Sequence, residues 1–357
     1  MADCADGSCV PRHLSREAKR KEFEHDPAHP EVTWKGLRDS MLGLGDQFFN
    51  HGVDVAQLEE GLHDLWDEVI HAAKILPAGS PELDRLVTLI LEARELGLLV
   101  RKDNSKNSIS QEGEVARLPN GQRLWTDLPY LVQEFQDAWA KESNTYTFAE
   151  RESLAVLMAK LCAAGVCPTE LGNCALWLFR EAFETARPLT KMATASGTTS
   201  LSGVGLPADK CPIPSIVDLL PACLAWLRYA NFKLAKLSVT ASSMTIVDID
   251  DASALSAPGA FARQADITQG GFSVARWLFW RRRFKELYAR GDSQVIKLAR
   301  ACFEESVLTG LSVGLDIPGE KLYQERLFEA LDRELEARGF TQCVGPKDIE
   351  IDMGWAE

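Results

Sequence analysis

The chain has 357 residues, a net charge of −13 and 46% hydrophobic residues. That length and balance describe a globular protein with a real core, built as one large or two medium domains. The acidic excess argues against general affinity for nucleic acid or an anionic membrane, since both need surplus Lys and Arg.

The first thirty residues are polar and hold no apolar run of signal-peptide length. They are expected to form a disordered tail. No stretch reaches the roughly 18 apolar residues of a membrane span, so a cytoplasmic home is expected, with a nuclear one also open. The nine cysteines agree. Cys162, Cys174, Cys223 and Cys302 lie inside apolar helical patterns and read as small buried hydrophobes in a reducing compartment. Cys162, Cys167 and Cys174 lack the paired C-x2-C spacing of a zinc site.

In chain order, segments 34–50 and 54–76 have helical patterning. Ser80-Pro81 opens a further helix with Leu83, Leu86, Val87 and Ile90 inward. Residues 101–122 are polar and predict a mobile loop. Thr126 is placed to cap a helix whose stripe is Leu128, Leu131, Val132, Phe135 and Trp139, with Pro129 in its first turn. Leu154, Leu157, Met158, Leu161 and Cys162 form one stripe, and Leu171, Cys174, Ala175, Leu178 and Phe179 repeat it. Gly165 suits the end of the first helix, and Pro168 and Thr169 suit the start of the second. The pair predicts an antiparallel helical hairpin.

Residues 190–212 are rich in Ser, Thr, Gly and Pro and predict a second mobile loop. Segments 213–237 and 272–289 are helical in pattern. Between them, 238–270 is ambiguous, with a β-branched run at Thr245–Ile249 that allows at most a two-stranded ribbon. Asp292 opens a helix with Val295, Ala299, Cys302 and Phe303 inward. Ile317-Pro318 precedes one carrying Leu327, Phe328, Leu331 and Leu335, closed by Gly339. The expected fold is all-α, with roughly ten helices in antiparallel hairpins joined by long loops. The expected organisation is one helical domain over 31–340. It allows substructure at 31–187 and 213–340, joined through 190–212. Tails are expected at 1–30 and 341–357.

The order and spacing of several features carry a family resemblance. They are Leu124-Trp125-Thr126-Asp127-Leu128-Pro129, Trp139, the Arg151-Glu152-Ser153-Leu154 helix start and the Arg276-Trp277-x2-Trp280-Arg281 helix. Together they make the chain resemble a family of filamentous-fungal proteins catalogued only as a domain of unknown function. The resemblance implies an all-helical protein and an association with secondary-metabolite gene clusters. It brings no reaction and no catalytic residues with it. Ser153 stands where the resemblance leads one to expect Asn.

Candidate chemistry is sparse. All six histidines, His13, His25, His29, His51, His63 and His71, fall in the first 71 residues. No G-x-S-x-G supplies a nucleophile elbow, and no glycine-rich phosphate loop implies a nucleotide cofactor. His63, Asp67 and His71 run up one helix face at i, i+4 and i+8 and form the candidate metal set. That face is offset from the apolar stripe of Leu62, Trp66, Val69 and Ala73, so a solvated polar flank is the plainer reading and no bound metal is expected. Asp248, Asp250 and Asp251 resemble the D-x-D-D acid motif of protonation-initiated terpene cyclases and are the candidate catalytic acids. A solvated acidic loop competes with that reading. On the 276–290 helix, Trp277, Trp280, Phe284, Leu287 and Tyr288 share a face, with Arg281, Arg282 and Lys285 on another. A buried aromatic seam with a solvated basic back is expected, rather than a nucleic-acid surface.

These readings lead to an accessory binding or scaffold protein without a catalytic motif, with a small lipophilic ligand or a protein as partner. The alternative is a cofactor-independent enzyme acting on a small lipophilic substrate in an interhelical pocket.

Overall fold

The computed structural model of the protein describes residues 30–101, 113–190, 213–240 and 252–356. The possible ribbon at 245–249, the acidic run at 248–251, nearly all of the 190–212 loop and the tail before residue 30 lie outside these residues. The described residues form an all-α fold with one minimal ribbon. The chain divides into two compact units, residues 1–158 and 159–357.

In the first unit, α1 (Pro30–Phe49), α2 (Val55–Ile75) and α3 (Pro81–Glu95) pack on one another, and α4 (Leu131–Glu142) packs on α2. Their starts are set by side-chain caps. Asp54 accepts from the Ala56 N–H at 3.1 Å, and Gln57 reaches back to the Asp54 N–H. Ser80 accepts from the Leu83 N–H, with Pro81 in the first turn, as the sequence leads one to expect. The end of the segment expected as a loop is ordered instead. Val100–Arg101 and Glu114–Val115 pair as antiparallel β1 and β2, and Ala116 and Leu118 are buried beyond them. The buried residues Ala116 and Leu118, two apart beyond the ribbon, tie this stretch to the core despite its polar composition.

The α4 start also differs from expectation. Thr126 caps nothing, and α4 begins at Leu131 with Tyr130 at its N-cap in left-handed backbone. Pro129 explains this, because a proline disfavours right-handed helix at the residue before it. Leu128, the residue before it, is at φ 48°, outside the right-handed helical region.

Helix α5 (Phe148–Ala163) carries the chain from the first unit into the second. It ends at Gly165, with φ 82°, where the Val166 N–H bonds the Leu161 carbonyl at 3.0 Å. Pro168 then opens α6 (Pro168–Phe179), so both helices of the expected hairpin are present with their short turn. A π-helical turn, Arg180–Glu184, continues α6. Next come α7 (Ile216–Val239), the short α8 (Ala252–Ser256) and α9 (Ala260–Gln264), then α10 (Val274–Arg290), α11 (Ser293–Val307), α12 (Thr309–Ser312) and α13 (Glu320–Ala337). Helix α7 packs against α6, α10 and α11, and α10 packs along α11.

Ser273 and Asp292 cap α10 and α11 through backbone N–H groups. Phe328, expected inward on α13, is 56% exposed, while Leu327 beside it is buried. The short 3-10 turn Met353–Ala356 docks on α13, with Trp355 against Tyr323.

Candidate functional site

The polar face of α2 is drawn into the first unit rather than left in water. Asp67 and His71 are buried, contrary to the solvated flank expected, and each has a partner. His63 is mostly enclosed. Its Nδ1 meets the Glu134 carboxylate on α4, and its ring stacks on Tyr130 with centroids 4.3 Å apart. Glu59, one turn earlier, lies 4.0 Å from His63 Nε2. Burial, and then a hydrogen bond with Glu59, push the Tyr130 hydroxyl up to about 12. Among the described residues, no three His, Cys, Asp or Glu side chains are grouped to hold a metal ion. His63, Glu134, Tyr130 and Glu59 instead satisfy one another and clasp α2 to α4.

The segment Leu124–Tyr130 is the most strained stretch of that unit. Trp125, Leu128 and Tyr130 all have positive φ, at 62°, 48° and 64°. Side chains other than glycine adopt that region at a cost of about 1–3 kcal/mol each, so neighbouring structure must hold it. Two anchors are visible. Asp127 receives the Arg123 backbone N–H at 2.7 Å and both ends of its guanidinium, and this hydrogen bonding holds the Asp127 carboxyl below its usual range. Trp66 of α2 donates its indole N–H to the Pro129 carbonyl at 2.7 Å. Even so, the loop leaves polar groups unpaired: Thr126 Oγ1 is buried with no partner among the described residues.

Trp125 is presented by this loop to a surface groove of about 310 Å³. Leu42 and Phe49 of α1 and Leu96 and Leu99 beyond α3 form its sides, and Asp46 and Asn50 lie at one end. Leu42, Phe49 and Leu96 are substantially exposed, Phe49 at 49%. Trp125 is only 2% exposed, and its indole N–H has no partner among the described residues. Gly45 explains how that N–H stays reachable. A Cβ at Gly45 would stand 3.3 Å from Trp125 Nε1, so the glycine keeps the groove floor open above it. The arrangement is an apolar cleft with one fixed donor at its base.

The second unit treats its buried charges differently. Glu184, aimed inward by the π-helical turn, is wholly buried against Arg276 of α10. One Glu184 oxygen accepts from Arg276 Nε and Trp280 Nε1, both at 2.8 Å, and the other from Arg276 at 2.9 Å and the Gly259 N–H at 2.7 Å. The rest of the guanidinium donates to the carbonyls of Ser256 and Gly271. Arg281 is also buried and paired, with Glu320. The expected basic back of α10 is therefore corrected at Arg281, which is inside, while Arg282 is exposed as expected. The aromatic seam holds, with Trp277, Trp280, Phe284 and Leu287 buried and Tyr288 half-buried. Glu184 escaped the sequence reading. Its only signal is an acidic residue directly following the apolar Ala182 and Phe183.

The acidic candidates Asp248, Asp250 and Asp251 lie outside the described residues. No helix among the described residues is long and apolar enough to cross a membrane.

Comparison with known proteins places these features in a wider group. A curated relative, "Oxopyrrolidines biosynthesis cluster protein G" of Penicillium oxalicum, is 30% identical over 302 residues, which cover 84% of this chain and 78% of the relative. No solved structure matches. The family model described as "Protein of unknown function (DUF3632)" matches residues 66–284, which include the strained loop, Glu184 and Arg276. The chain belongs to this family.

Proposed function

We propose that the protein is an accessory protein of secondary metabolism that binds a small lipophilic molecule and does not transform it. The observation that carries this reading is the Trp125 indole N–H, which sits at the floor of an apolar groove with no acceptor among the described residues. A ligand that placed a carbonyl oxygen there would accept the indole hydrogen bond, while its apolar body covered Leu42, Phe49, Leu96 and Leu99. The groove volume is at the lower end of the roughly 300–1,000 Å³ usual for ligand sites. The relative's name, a cluster protein of oxopyrrolidine biosynthesis, supports a metabolic setting and a carbonyl-bearing ligand class.

A second reading is an enzyme acting on such a molecule without a cofactor. Its support is the backbone strain at Trp125, Leu128 and Tyr130, since strain of this kind clusters at active sites. Tyr130 also brings that loop against His63 and Glu134.

Native mass spectrometry separates the two readings. The purified chain is mixed with an organic extract of the culture that produces it, and bound species are weighed before and after release. The binding reading expects one molecule per chain, released at unchanged mass, and its loss from a Phe49→Glu variant. Release at an altered mass would establish the enzyme reading. An empty wild-type chain would remove both.

A further inference from the structure

We propose that the second unit carries its own binding site for an amphipathic carboxylate, a molecule with an apolar body and one carboxylate head. The site is a cavity of about 420 Å³ between α10, α11 and the start of α13. Leu278, Phe303, Pro318 and Met353 give it apolar walls, and Arg281 and Arg282 stand beside them. This inference does not rest on the Trp125 groove, which belongs to the other unit.

The charges at the cavity do not cancel. Arg281, 4% exposed, donates to the Ser306 carbonyl at 2.8 Å and the Val307 carbonyl at 3.3 Å, and it pairs with Glu320. The other Glu320 oxygen accepts the Leu311 N–H at 2.8 Å. Both carboxylate oxygens are therefore engaged, and the Arg281–Glu320 pair is neutral as a unit. Arg281 Nε is left buried without a partner. Arg282, the next residue, is exposed and has no ion-pair partner among the described residues. One uncompensated guanidinium, that of Arg282, thus stands at the edge of an apolar cavity whose other arginine is already paired. Guanidinium groups bind carboxylates through paired, charge-assisted hydrogen bonds. A single head group of charge −1 matches the single free cation, and the walls suit an alkyl or acyl body.

The wall is built deliberately at its closing edge. Gly319 has φ 84°, and a Cβ there would lie 1.9 Å from the Ala356 carbonyl oxygen. Only glycine lets the 353–356 turn dock this closely, and that docking brings Met353 and Ala356 to the cavity.

Isothermal titration calorimetry of the full chain with decanoate and with decanol tests the proposal. Arg282→Gln, Leu278→Asp and Trp125→Phe variants are run beside wild type, each checked by thermal melting. The expected result is one decanoate per chain, with decanol about tenfold weaker or more, the scale of one charge-assisted hydrogen bond. Arg282→Gln should weaken decanoate by a similar factor and leave decanol unchanged. Leu278→Asp should abolish both, and Trp125→Phe should alter neither. Equal binding of acid and alcohol, decanoate binding indifferent to Arg282→Gln, loss on Trp125→Phe, or no decanoate heat at all would each overturn it.

Discussion

The Glu184–Arg276 knot and the Trp125 loop are both buried polar arrangements, and they are finished to different degrees. In the knot, each carboxylate oxygen takes two donors and every guanidinium nitrogen has an acceptor. In the loop, the backbone is strained at three residues, Thr126 Oγ1 is buried without a partner, and Trp125 Nε1 at the groove floor has no acceptor among the described residues. A saturated network specifies a fold and has nothing left to offer a ligand. A donor held at a groove floor without an internal acceptor is free to offer recognition. The difference separates residues that hold this protein together from residues available for its function.

The largest expected effect lies in the knot. Arg276→Met should destabilise the protein by about 3–5 kcal/mol, because it strands the Glu184 charge in the interior. Chemical denaturation measures this, and a loss below about 1 kcal/mol would mean that water reaches the pair. Arg281→Gln should also cost about 3 kcal/mol, since Glu320 would lose its partner, whereas Arg282→Gln should stay within about 0.5 kcal/mol. The amino-acid pattern alone assigns both arginines the smaller figure, so this pair of variants distinguishes the structure from the pattern.

The two tryptophans of the first unit sharpen the comparison further. Trp66→Phe removes the donor to the Pro129 carbonyl and should cost about 1–3 kcal/mol. Trp125→Phe removes a donor that bonds nothing and should change stability by no more than about 0.5 kcal/mol. Equal losses from the two substitutions would show that Trp125 Nε1 has an internal partner after all.

Alkaline titration is a smaller effect with a definite sign. Tyr130 is held up to about 12, above the ordinary tyrosine value of 10.0, so folding favours its neutral form. Its contribution is complete below pH 10 and is lost as pH rises from 10 towards 12. Tyr323, raised to about 12 mainly by burial, acts in the same window. Tyr130→Phe should therefore flatten part of the fall in melting temperature above pH 10. A slope unchanged by that substitution would locate the alkaline sensitivity elsewhere.

Cysteine labelling is the mildest probe. Burial pushes the Cys162 thiol up to about 12 and raises those of Cys174 and Cys302, so none forms thiolate readily. Mass mapping after brief alkylation should find Cys343, which is exposed, modified and those three protected.

Much of the fold was legible in the amino-acid order because 3.6-residue periodicity and caps are local signals. Ser80, Gly165, Pro168 and Asp292 mark helix ends where expected. The α4 start was not legible, because Thr126 carries a capping side chain but Pro129 forces turns after it. One position within α10 was misread for a different reason. Periodicity assigns Arg281 to a polar face, but a buried partner on a distant helix, Glu320, reverses that assignment. Of the candidate site, the sequence marked the Leu124–Pro129 stretch as distinctive without showing what it does. The groove depends on Gly45 lying opposite Trp125, some eighty positions away, and no local pattern encodes that meeting.

The central claim is that Trp125 offers its indole N–H to a bound ligand. The direct measurement is a nitrogen–proton correlation spectrum of the indole groups. The Trp125 and Trp66 resonances are assigned by their Phe variants, and the molecule found by native mass spectrometry is then titrated in. The expected result is a downfield shift of the Trp125 Nε1 proton that saturates at one ligand per chain, with the Trp66 resonance unmoved. A ligand that binds while the Trp125 resonance stays in place would contradict the account.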